Sequence, residues 1–331
     1  MCIRDSSLPF MADDFFHFPF VDRHTFFEIW QTAEGLYYFR PVAFAYWKIA
    51  ESIFGSFDPL FLHASNLLVH LINGLLVGWL ADRLWSAVPG KSPGTSGWVR
   101  RFLAASLFIV FPFGYEVVPW VGAFMHPLVT TLVLLSIVGY LQLRDRGSIL
   151  WGIAGLICAF LAPFTHENGA ITLALLGVVE ITRLADDGRS IRQRVRLLGL
   201  WIIPLFLWYT IWRLEPRTVG TGGLNINSLP AMLRNSIYVW QAMAYPVTWF
   251  GVPIIRRLPL AELPATALLS AITLACAAWI QWRGGADRRS VLPWLWALLA
   301  SIPAIAFLSF SYLQAAPRVL MLASVGIVWL W

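Results

Sequence analysis

Charge is what this 331-residue sequence has least of. Asp, Glu, Lys and Arg make up only 13% of it, against about 25% in a soluble domain. A normal wetted surface cannot be built from so few charges, which excludes an ordinary soluble enzyme of one or two domains. Apolar residues supply 58% and the mean hydropathy is +0.67. That excludes a disordered chain and, despite a pI near 9.5, a nucleic-acid-binding one. Cysteine is scarce too. Beyond Cys2 only Cys158 and Cys276 occur, each inside an apolar run, where a thiol serves packing rather than a disulfide framework. What remains is an all-α, polytopic membrane protein with membrane lipids around it, whose net charge of +6 reads as topology.

The two ends are expected to be cuts. Residues Met1-Cys2-Ile3-Arg4-Asp5-Ser6 look like a translated sequencing adapter from a metagenomic assembly and are set aside, as a fusion scar would be. The other end, Val325 to Trp331, stops inside an apolar run. The chain is therefore read as a fragment in two parts. Residues 7–57 form a long loop carrying short surface helices, and residues 58–331 form a helical bundle truncated at its C-terminus.

A bilayer core needs about 20 apolar residues per helix. Nine runs qualify as expected spans, near 59–81, 102–120, 125–143, 149–164, 169–185, 197–213, 263–282, 291–311 and 317–331. Pro112 and Pro119 are expected to break the second run early. Segment 228–252 mixes Arg234, Asn235 and Gln241 with Trp240 and Trp249 and reads as interfacial helix rather than a span. Basic residues then set the orientation. One alternate set of loops, running from Arg83 to Arg289, holds fourteen of the 24 Lys and Arg residues with six acids. By the positive-inside rule it is cytoplasmic. The opposite face carries ten bases and twelve acids, and the groups with most chemistry fall there.

Asp13-Asp14 can supply a general base for an attacking hydroxyl or ligands for a divalent cation such as Mg or Mn; taken alone, so common a pair is more often a solvated pair or a helix cap. His63, Asn66, His70 and Asn73, spaced 3, 4 and 3, share one helix face. They must turn away from lipid, either into a wet cavity or to bond neighbouring helices. Glu116 is a lone acid between apolar halves, suited to acid–base work or to a salt bridge. His126 opens the next span as a cap or rim residue. His166 and Glu167 interrupt two apolar runs, by turn chemistry or as part of a site. Arg318 opens the last span, where a cation opposes the helix dipole. Its guanidinium suits phosphate, as does headgroup contact by snorkelling. Arg256 and Arg257 fit phosphate in the same two ways.

Taken in order, these landmarks resemble the membrane domain of polyprenyl-phosphate-sugar-dependent glycosyltransferases of the GT-C fold. The likeness is greatest to transmembrane-and-tetratricopeptide-repeat O-mannosyltransferases and their bacterial relatives. It rests on the Asp13-Asp14 pair, on Tyr38-Phe39-Arg40-Pro41, and on the His63 to Asn73 span. It continues through Phe111-Pro112, Glu116 and Trp120, then Thr165-His166-Glu167, and ends on Pro317-Arg318 through Gly326. Phe111, His166 and Pro317 stand where the family pattern has His, Lys and Glu, departures that bear on which sugar and acceptor are used. The resemblance implies an enzyme of the bacterial inner membrane acting at its extracytoplasmic face, with a polyprenyl-phosphate sugar as donor. The acceptor would be a protein or glycan hydroxyl. Asp13 or Asp14 would be the base, and Glu116 and Glu167 would orient sugar or base. Arg318, with His166 and Arg256, would hold the leaving phosphate. A polytopic transporter or flippase, or an O-antigen polymerase or ligase, is the alternative; no internal repeat supports the transporter. No nucleic-acid partner is expected.

Overall fold

The computed structural model describes residues 10–36, 38–85, 95–183, 188–214, 226–245, 247–258, 261–285 and 288–331. Among them the regular structure is helical throughout. Five helices are long and apolar enough to cross a membrane: Pro59–Trp85, Val121–Arg146, Ile191–Leu214, Pro264–Arg283 and Arg289–Phe307. Two shorter apolar helices, Ile149–Thr165 and Pro317–Leu330, accompany them. The chain divides into two compact units, Met1–Leu224 and Asn225–Trp331.

The first unit contains α1 (Asp14–Arg23), α2 (Pro41–Phe54), α3 (Pro59–Trp85), α4 (Thr95–Ile109), α5 (Met125–Arg146), α6 (Ile149–Thr165), α7 (Thr172–Thr182), α8 (Ile191–Leu200) and α9 (Ile202–Leu214). Its centre is the span ending in α5, 83% of whose apolar window is buried; only 11% is buried in the span formed by α8 and α9. A helix buried all round is a core helix, whereas an apolar helix with an open face suits lipid. Helices α5 and α6 lie side by side because small residues let their backbones touch. A Cβ on Gly139 would run into the Trp151 carbonyl and the Gly155 backbone, the close approach that small residues permit between membrane helices. Buried Ser136 of α5 accepts from the Trp201 indole at 2.8 Å and ties in the α8–α9 junction.

Two expected spans are shorter than the hydropathy implies. In place of 102–120, α4 ends at Ile109 and the chain runs on as turns through Trp120, with a single 3-10 turn at Pro112–Gly114. Proline has no N–H to give and pushes the residue before it out of the α region; Phe111 is accordingly extended at φ −65°, ψ 135°. In place of 169–185, α7 spans eleven residues after a 3-10 segment at Glu167–Ile171. Residues 10–54 build more than surface helices. Phe20, Phe44 and Trp47 are fully buried in an aromatic cluster with Ile29, Leu62, Val121 and Phe124.

The second unit contains α10 (Leu229–Met243), α11 (Val247–Ile255), α12 (Glu262–Arg283), α13 (Leu292–Phe307), α14 (Phe310–Ala315) and α15 (Met321–Leu330). The segment 228–252 is thus two helices of 15 and 9 residues, each too short for a core about 30 Å thick at 1.5 Å per residue. Helix α13 packs on α15, and the Trp296 indole donates to the Leu322 carbonyl at 3.0 Å.

Candidate functional site

The polar stripe of α3 organises one end of the first unit. Its side chains bond to backbone rather than to each other. Asn66 Nδ2 donates to the carbonyls of Val117 and Trp120, both at 2.7 Å. Asn73 Nδ2 donates to Pro127 at 2.8 Å, and its Oδ1 accepts from Thr131 at 2.8 Å. A ring nitrogen of His70 lies 3.1 Å from the Ile109 carbonyl. The irregular segment 110–120 leaves backbone groups unpaired that a helix would have satisfied internally, and the stripe of α3 supplies them. Non-helical backbone among membrane helices is tolerated on that condition. Of the two roles open to this stripe, bonding to neighbouring segments is the one observed.

Held in this way, the segment presents Trp120 and Gly122 to α1. Asp13 and Asp14 meet different environments there. Asp13 is exposed and precedes the helix without capping it, whereas Asp14 is only 1% exposed. Asp14 Oδ2 accepts from the Met11 N–H at 3.0 Å. Oδ1 lies against Gly122, where a Cβ would stand 2.5 Å from it, with the Trp120 indole nitrogen and His17 Nδ1 close by. Only glycine lets the carboxylate sit here. Burial pushes the Asp14 carboxyl up to about 6, against the opposing pull of the Met11 and Gly122 backbones, the Trp120 indole and His63. The chain enters this corner through Ala12 at φ 51°, a left-handed conformation that non-glycine residues adopt at a cost.

From Asp14 the polar groups continue. His17, one turn along α1, stacks on Trp47 with ring centres 5.4 Å apart and shares a hydrogen bond with the Tyr38 hydroxyl. Burial, with Arg40 nearby, pushes His17 down to about 3, so its ring is neutral at physiological pH. The Tyr38 ring lies under the Arg40 guanidinium, 4.1 Å from its centre. Arg40 grips Glu167 with two nitrogens, Nη2 at 2.7 Å and Nε at 3.1 Å from Oε2. Fork geometry of this kind favours arginine over lysine. His166 starts the 3-10 turn, its Nδ1 accepting from the Asn168 N–H at 3.2 Å. The His126 ring lies 4.6 Å from it, centre to centre.

The structure thus brings together Asp14, Glu167, His166 and His126 of the residues singled out from sequence, through His17, Tyr38 and Arg40. Glu116 is half-buried on the pinned segment, accepting from the Tyr115 hydroxyl at 3.0 Å. Arg256 and Arg318 belong to the second unit. Arg256 is exposed and paired with Glu262 at 2.8 Å, while Arg318 is buried in the Pro317–Leu320 turn. The Asp-Asp pair is split between solvent and interior, and among the described residues no three His, Cys, Asp or Glu side chains are grouped to hold a metal ion. Reasoning from residue type passed over His17 and Gly122. It reached Tyr38 and Arg40 only as part of a recurring block; their partners lie 21 and 127 positions away in the chain. Comparison with protein-family models, with curated proteins and with solved structures finds no match to this chain.

Proposed function

We propose that this chain is the membrane domain of a GT-C-like glycosyltransferase of the bacterial inner membrane. It would transfer a sugar from a polyprenyl-phosphate donor to a protein or glycan hydroxyl at the extracytoplasmic face. The observation that carries the reading is Asp14, a buried carboxylate raised to about 6 that lies near His17, whose hydrogen bond to Tyr38 leads on to the Arg40–Glu167 clamp. A base of that pKa is deprotonated at neutral pH and still takes up a proton readily.

In the proposed reaction the acceptor hydroxyl oxygen attacks the anomeric carbon as its proton passes to Asp14. The bond from that carbon to the phosphate oxygen breaks with its electron pair, releasing polyprenyl phosphate. A single displacement inverts the anomeric centre. Glu167, fixed by Arg40, presents its half-exposed carboxylate to sugar hydroxyls, with Glu116, His166 and His126 as further polar contacts. Arg318 and Arg256, in the second unit, are phosphate contacts on the strength of the sequence resemblance alone, where fixed cations would stabilise the charge that develops on a leaving group.

The test is release of polyprenyl phosphate from labelled polyprenyl-phosphate sugars by the reconstituted protein. Asp14→Asn is expected to lower turnover at least 100-fold, within the range typical of a lost general base. Asp13→Asn is expected to retain most of it. Equal effects of the two substitutions, or none from either, would overturn the assignment of Asp14 as the base.

A further inference from the structure

At the other end of the first unit, arginines outnumber their acids. Asp145, at the end of α5, takes three guanidinium groups. Arg144 Nη1 reaches Oδ1 at 2.7 Å, while Arg83 and Arg183 share Oδ2 at 2.9 and 3.2 Å. Arg144 continues to Glu180, Nε to Oε1 at 2.5 Å, and Arg194 closes on the other oxygen at 2.5 Å. Among the described residues these four guanidiniums share two carboxylates, Asp145 and Glu180, and Arg144 and Arg194 have further contacts besides. Among the nearest charges along the sequence, Arg146, Arg189, Arg192 and Arg196 add to one side and Asp82, Asp186 and Asp187 to the other; Asp82 is taken by Arg100 and Arg101, so the excess persists. The acids at 186 and 187 lie outside the described residues.

Two features separate this cluster from a plain salt-bridge network. Arg183 is 5% exposed, and its Nε, fully buried, has no hydrogen-bond partner. An unmet charged donor in the interior is costly. The excess also has a way out, because Arg83, which shares the Asp145 oxygen with Arg183, is one-third exposed. Burial and the neighbouring Arg144 and Arg83 push Arg183 below the usual guanidinium range, against the pull of Asp145, as expected where positive charge exceeds its compensation.

We propose that the arginines around Asp145 form a receptor for a phosphate group, with Arg183 and Arg83 as its direct ligands and Arg144 fixed behind them by Glu180. Arginine presents paired donors that match phosphate oxygens. The chemistry is shared by an anionic phospholipid headgroup and by free phosphate. The cluster sits at the ends of α3 and α5, helices that begin beside the candidate site. From His126 to Arg144 along α5 is about 27 Å at 1.5 Å per residue, close to the bilayer core thickness. The receptor is thus distinct from the candidate site and independent of the transferase reading.

The test uses the full chain in an uncharged detergent, with thermal unfolding followed against dioctanoyl phosphatidylglycerol, inorganic phosphate and phosphate-free dioctanoylglycerol at matched ionic strength. Saturable stabilisation by phosphatidylglycerol alone identifies a lipid headgroup; equal stabilisation by inorganic phosphate identifies the free ion. Arg183→Gln is expected to weaken the effective ligand about tenfold or more, the size of one lost charge-assisted hydrogen bond. Arg183→Lys should recover part of the loss. Should the buried variant not fold, Arg83→Gln at the exposed rim is expected to weaken binding in the same direction. Stabilisation no greater than that by dioctanoylglycerol or by matched sodium chloride overturns the proposal, as does wild-type affinity in both arginine-to-glutamine variants.

Discussion

Asp13 and Asp14 are neighbours in sequence and opposites in environment, and pH separates them. A raised carboxyl pKa means that the folded protein holds the Asp14 proton more tightly than the unfolded chain, whose value is near 3.9. Stability contributed by that proton is complete below about pH 4. It is lost as pH rises through the folded value of about 6. At pH 7.5 the ionised, buried carboxylate then costs about 3 kcal/mol, from roughly 1.4 kcal/mol per unit. Asparagine keeps an oxygen for the Met11 N–H without the charge. Asp14→Asn is therefore expected to unfold at a higher temperature than the parent at pH 7.5, with the gain vanishing near pH 4. A gain that is unchanged at pH 4 would show that it does not come from the charge. In the parent, transfer is expected to rise with pH through a midpoint near 6, the range in which the base becomes free. Which of the two acids is buried could not be read from the sequence. It depends on Gly122, about a hundred residues on, leaving room for Oδ1.

Helix α3 shows what periodicity can and cannot reveal. The spacing of His63, Asn66, His70 and Asn73 placed them on one face, and all four are buried. What they face is irregular backbone, which hydropathy does not register. Pro112 was legible as a break, yet the apolar run 102–120 still counted as a span, because such a count weighs side chains and ignores unpaired N–H and C=O groups. Those groups make Asn66 the key of the element. Asn66→Leu would strip the side-chain partner from the Val117 carbonyl and leave the Trp120 carbonyl only its bond from the Ala123 N–H, and is expected to cost about 2 kcal/mol or more. Ser65→Ala removes a bond to the Phe61 carbonyl within the same helix and should fall within about 0.5 kcal/mol of the parent. Thermal unfolding of both variants in one detergent decides between them; similar losses would mean that the segment 110–120 is held by its apolar contacts instead.

The division of the molecule into units at residue 224 had no counterpart in the sequence, where 58–331 reads as one bundle. Division depends on contacts between distant segments, and composition is apolar on both sides of the boundary. Charge sorting carried more. Its two sets of loops correspond, in the first unit, to two polar clusters at opposite ends of the same helices. Asp14, Arg40 and Glu167 gather near the starts of α3 and α5, and Arg83, Arg144 and Asp145 near their ends. The helix lengths between match an apolar slab, which predicts that the clusters face opposite sides of a bilayer. Single cysteines test this in a chain whose own cysteines have been replaced by alanine. Phe15, exposed beside Asp14, is expected as Phe15→Cys to react in intact spheroplasts with a membrane-impermeant maleimide. Arg146, exposed at the end of α5, is expected as Arg146→Cys to react only after the membrane is opened. Labelling of both from outside would mean that α3 and α5 do not carry the chain across. The reverse pattern would place the Asp14 carboxylate in the cytoplasm, where nucleotide sugars are at hand and a lipid-carried donor is no longer required.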